Sequence, residues 1–154
     1  MEIVFEKTAN RSNFNFINKL FSDKKVLNGF NKLKEELLFE PIMSKEFEVQ
    51  NVFFDKTLKA DLYLSYPLSV VVKEEVTFSS LHELITSIRN TYKKIYKEEY
   101  KTMSKLKSSK TLYNRGFSNG KYGIWGHGIH DLSIESIRIL EGETKPLIEV
   151  GIGS

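Results

Sequence analysis

Leu81, Leu84, Ile85, Ile88, Tyr92, Ile95 and Tyr96 recur three and four positions apart, so all seven fall on one stripe of a helix. Ser80 with Glu83 makes a capping-box pair, and Thr77 is an alternative cap. The sequence therefore predicts a long amphipathic helix over 81–100. Upstream, Phe47, Val49 and Phe53 alternate with Glu46, Glu48 and Gln50. After Asp55-Lys56-Thr57 the alternation returns as Leu58, Ala60, Leu62 and Leu64 against Lys59, Asp61, Tyr63 and Ser65. Period two on both sides of a turn-like triplet predicts a hairpin. Pro67 lacks a ladder donor and marks an edge, bulge or break before 68–72.

At the amino end, Ile3 and Phe5 suggest a short strand in 1–7. Phe16, Ile17, Leu20 and Phe21, then Val26, Leu27, Phe30, Leu33 and Leu37, give helical spacing over 13–39, ended by Pro41. At the carboxyl end, 132–140 is strand-like with a change of parity near Glu135-Ser136, which predicts a bulge. Residues 147–152 form a last strand with edge character, a place where a second chain could pair. The elements sum to one α+β domain over 1–154: an antiparallel sheet of about four to six strands packed by the 81–100 helix and the N-terminal helical region.

At 154 residues the chain can bury a core without staples. It has no cysteine, which removes disulfides and thiolate metal sites. No apolar run approaches the roughly twenty residues of a spanning helix, and no signal peptide is evident. We expect an intracellular protein with no membrane partner. A net charge of +3, from 23 basic and 20 acidic residues, is too balanced to imply nucleic acid. Its distribution says more, because Lys101, Lys105, Lys107, Lys110, Arg115 and Lys121 follow one another with no acid between 101 and 130. Much of that excess lies in 105–121, which lacks periodicity and reads as an exposed basic loop.

The loop leads into Tyr122-Gly-Ile-Trp-Gly-His-Gly-Ile-His-Asp131, which holds the only tryptophan and three close glycines. Glycine lets a backbone bend or pass close to a neighbour, whereas tryptophan and isoleucine favour burial. The segment reads as a crossing, with Trp125 in the core and its replacement by alanine costing about 3–5 kcal/mol. Tyr122, Trp125, His127, His130 and Asp131 are the candidate interaction residues. His127, His130 and Asp131 also have metal-ligand chemistry, but the glycines disfavour the helix that would align them. The local alternative is that His127 bonds backbone at a tight corner and Asp131 caps. No Gly-Lys-Ser/Thr ends the glycine run, so a phosphate loop is not formed, and nothing calls for a cofactor.

Arg89, Lys93, Lys97, Lys101 and Lys105 recur every fourth position, and like charges so spaced repel unless an anion relieves them. With Lys107, Lys110 and Arg115, and with Tyr100, Tyr113 and Phe117 interleaved, they make a candidate phosphate-tracking surface. Against it, Glu98 and Glu99 neutralise part of the ladder.

Residues 121–137, preceded by the helix, resemble small uncharacterised proteins of large DNA viruses, through Tyr122, Gly123, Trp125, Gly126, His127, Asp131, Leu132 and Glu135. Gly128 stands where that pattern often has an acid. The resemblance implies a viral accessory or virion protein, placed in host cytoplasm or virion, and no reaction. The sequence favours a non-enzymatic interaction or structural module that meets a protein partner or self-associates. A nucleic-acid-binding protein and a metal-dependent enzyme are the alternatives.

Overall fold

The computed structural model describes residues 2–4, 40–103, 116–140 and 143–154. The helical region over 13–39 and the turn at 141–142 lie outside the described residues, as does most of the basic loop. The described elements are β1 (Glu2–Val4), β2 (Glu40–Pro41), β3 (Phe53–Leu64), β4 (Val72–Ser80), α1 (Leu81–Thr102), β5 (Ser133–Leu140) and β6 (Leu147–Gly153), with a 3-10 turn at Ile129–Asp131. This is an α+β fold.

Helix α1 begins where the sequence places it. Ser80 Oγ accepts from Glu83 N at 3.3 Å, and the Glu83 carboxylate takes Ser79 N at 2.5 Å and Ser79 Oγ at 2.9 Å. Two more first-turn donors are met from outside the helix, Leu81 N by Val52 O at 2.8 Å and His82 N by Asn51 Oδ1 at 3.0 Å. The whole apolar stripe from Leu81 to Tyr96 is buried. It meets Leu58, Ala60, Leu62 and Leu64 of β3, Val76 and Phe78 of β4, and Ile134, Ile137, Ile139 and Ile148 in one core.

The sheet runs β1-β5-β6-β3-β4, and β2 also pairs with β5. It is mixed, not antiparallel throughout: Asp61, Leu62 and Tyr63 of β3 run parallel to Leu147, Ile148 and Glu149 of β6. Alternation shows which residues face the core but not the direction of a partner about 85 positions away. That pairing also makes β6 an interior strand, held by β5 on its other side, so it is not the free edge expected from sequence. The predicted bulge is present, as a register shift between Ile134 and Ser136.

The predicted hairpin is instead a single 12-residue strand. Its irregularity, between Phe53 and Leu58, is a disturbance in pairing with β4, not a reversal of the chain. The parity shifts there as well, so Phe54 is buried while Phe53 is exposed. Among the described residues, no helix is long and apolar enough to cross a membrane.

Candidate functional site

The last turns of α1 grip the chain that follows the basic loop. Glu99 continues the buried stripe, three residues after Tyr96 and four after Ile95, and is itself 1% exposed. Its Oε1 accepts from Ser118 Oγ at 2.5 Å and Gly120 N at 2.9 Å, and its Oε2 from Tyr122 N at 2.6 Å. Three donors on one buried carboxylate replace the water it gave up, which makes the burial tolerable. Ser118 passes the contact inward: its Oγ accepts from Ile124 N at 2.7 Å, and its own N–H donates to Ile124 O at 2.8 Å. Alongside, Lys121 N donates to Thr102 Oγ1 at 2.8 Å. Glu98 receives the Tyr122 hydroxyl and, at 3.1 Å, the Lys121 ammonium. Those two donors, the hydroxyl foremost, hold the Glu98 carboxyl below its ordinary range.

The opposite side of the crossing is tied to the turn after β3. Ser69 Oγ donates to Tyr122 O at 2.8 Å, its N–H reaches Gly123 O at 2.9 Å, and Trp125 N donates to Pro67 O at 2.8 Å. Gly123 has φ +59°, and a Cβ there would stand 2.2 Å from Ser69 Oγ. Only glycine suits both the dihedral and the space. A Cβ on Gly120 would likewise stand 2.5 Å from the Glu99 carboxyl carbon, so the grip requires bare backbone.

The helix stripe fixes the neighbouring backbone through two core tyrosines. Tyr92 Oη donates to Tyr66 O at 2.6 Å and Tyr96 Oη to His127 O at 2.8 Å. Burial pushes both hydroxyls well above the usual tyrosine range, so they remain donors at any ordinary pH. Tyr66 and His127 are thereby set side by side, with ring centroids 6.1 Å apart. Ser154 Oγ bridges them, 2.9 Å from Tyr66 Oη and 3.2 Å from His127 Nε2.

What this framework holds toward solvent is aromatic. Phe117 and Trp125 form a bridge between their backbones, and their rings lie 5.0 Å apart. Phe117 is 55% exposed and Trp125 half-buried, whereas the neighbouring Ile124 is fully buried. Trp125 is therefore not the core residue expected from its type: the crossing places Ile124 in the core and sends the adjacent side chain outward. Tyr66 is also exposed, as are Val70 and Val71 just beyond Ser69.

The other predicted residues take different places. Asp131 accepts from Gly128 N at 2.9 Å and closes the 3-10 turn that carries the exposed His130. Among the described residues, no group of three or more His, Asp or Glu side chains is arranged to hold a metal. His127 and Asp131 are close in sequence but make separate contacts, and His130 is exposed between them. Arg89 drops out of the basic ladder, because it is 5% exposed and paired with the fully buried Glu40. Lys93, Lys97 and Lys101 are exposed, while Lys105, Lys107, Lys110 and Arg115 lie outside the described residues. Residues 118–122 are not free loop either, since Ser118 and Tyr122 are buried against α1. Glu99, Ser118 and Ser69 were missed by sequence reasoning. For Glu99 a signal existed, an acid at the next position of an apolar helical stripe.

No protein-family model, no curated protein and no solved structure matches this chain.

Proposed function

We propose that this protein is a non-enzymatic interaction module, and that Phe117 and Trp125, on the crossing held by Glu99, anchor a protein partner. The observation that carries this reading is a surface aromatic pair, Phe117 exposed and Trp125 half-buried, on backbone fixed from both sides. Aromatic side chains dominate binding energy when their surroundings are rigid, because little ordering entropy is then lost on association. The hydroxyl and imidazole of Tyr66 and His127 supply polar contacts beside the apolar pair, the mixture typical of an interface. An accessory role of this kind agrees with the viral resemblance of residues 121–137.

Site-specific photo-crosslinking tests it. A benzophenone side chain at 117 is expected to give one discrete adduct in cells expressing the protein, and the adduct should disappear on Trp125→Ala. The same group at Phe53, which is more exposed and sits at the opposite end of α1, should give none. Equal labelling from both positions, or an adduct indifferent to Trp125, would overturn the assignment.

A further inference from the structure

A second site lies at the other end of the helix, remote from the aromatic crossing. A groove of about 330 Å³ runs between residues 43–47 and one face of α1. Its lining comprises Met43, Ser44, Lys45 and Phe47 on one side and Thr86, Arg89, Asn90 and Lys93 on the other. The helical residues are spaced three and four apart, so they present one face. No carboxylate lines the groove. Lys45 and Lys93 are exposed, and among the described residues neither makes an ion pair. Ser44 Oγ accepts from Glu46 N at 3.3 Å, which leaves its own hydrogen to donate.

Arg89 is the telling residue. Its hydrogen bonds to described residues all leave from Nη2, toward the Glu40 carboxylate, Pro41 O at 3.2 Å and Glu46 O at 3.1 Å. Its Nε is the one buried side-chain nitrogen or oxygen among the described residues that lacks a hydrogen-bond partner. A buried donor left unpaired is costly, and an ion or ordered water is one way such a set is completed. The guanidinium also lies 4.6 Å from the Phe47 ring centroid, and the His82 ring stacks on Phe47 at 3.8 Å, so what Phe47 offers the groove beside the cation is the edge of its ring.

We propose that this groove binds a compact organic anion, with its oxyanion group on Lys45, Lys93 and Arg89 and its apolar body on Met43 and Phe47. The volume suits a small ligand, and the lining combines apolar walls with a few convergent donors.

The test is an NMR titration of the full chain at low salt with phenyl phosphate, alongside phenol and inorganic phosphate. Phenyl phosphate should bind saturably, with shifts confined to 43–47 and 86–93, and more tightly than either fragment. Lys45→Glu with Lys93→Glu, both at exposed positions, should weaken it roughly tenfold or more while leaving the spectrum of the fold intact. The proposal is overturned by any of four results: no saturation, shifts centred elsewhere, undiminished affinity in the double variant, or binding of phenol or inorganic phosphate as tight as that of phenyl phosphate.

Discussion

Glu99 and Ser118 are joined by a 2.5 Å hydrogen bond across a separation of 19 residues, and both are buried. The contact makes the end of the long helix the mount for the crossing. Glu99→Gln would place an amide donor against Ser118, Gly120 or Tyr122, since those three donors use both carboxylate oxygens. We expect a loss of roughly 2–3 kcal/mol in urea unfolding, the range for a buried charged acceptor.

Trp125 and Ile124 should separate cleanly. Ile124 is fully buried, so Ile124→Ala is expected to cost about 2–5 kcal/mol. Trp125 is half-buried, and Trp125→Ala should cost only roughly 1–2 kcal/mol despite the larger side chain removed. Circular dichroism during denaturation reads both without needing the tryptophan signal.

Glu40 and Arg89 form a buried pair that fixes residues 40–49, because Glu40 Oε2 also accepts from Glu48 N and Val49 N at 3.0 Å. Removing one partner strands the other's charge. Glu40→Ala is expected to destabilise by about 3–5 kcal/mol, and a double-mutant cycle with Arg89→Met should recover a substantial part. Additive losses in the cycle would show that the pair is not coupled.

Acid should weaken the outer face of the sheet. Lys145 lies 2.8 Å from Asp61 and 2.6 Å from Glu75, with Lys73 at 3.2 Å from Asp61 and Lys59 at 2.9 Å from Glu75. The hydrogen bonds from Lys145 foremost hold both carboxyls below their ordinary values of 3.8 and 4.5. A depressed carboxyl contributes stability above its unfolded pKa and loses it as pH falls through the folded one. Unfolding midpoints should therefore fall below about pH 4, and Asp61→Asn should flatten that limb at low salt. Glu40 acts in the opposite sense, since burial raises its pKa and its protonation favours the folded state as pH drops.

The core was legible because local period and burial coincide: the α1 stripe, Leu58 through Leu64, the cap at Ser80 and the bulge near Ser136 follow from sequence alone. What failed to show were relationships between distant segments. Parallel pairing of β3 with β6 leaves no local trace, and Phe53–Leu64 reads as two strands because polar Asp55, Lys56 and Thr57 interrupt the alternation without turning the chain. The crossing was recognised by its glycines and tryptophan, and its backbone turns at Gly123 and Gly126 have positive φ. Its anchors were not: Glu99, though next on the apolar stripe, stands beside Glu98 and reads with it as surface charge until a partner 19 residues on is placed against it.

The most direct measurement uses Trp125, the chain's single tryptophan, excited selectively over its seven tyrosines. Acrylamide quenching and anisotropy would be compared between the parent protein and Glu99→Gln under conditions where both retain full helical circular dichroism. The parent should show a partly accessible, restrained indole, and Glu99→Gln should show faster quenching and lower anisotropy. Unchanged quenching and anisotropy in the folded variant would contradict the claim that Glu99 holds the crossing in place.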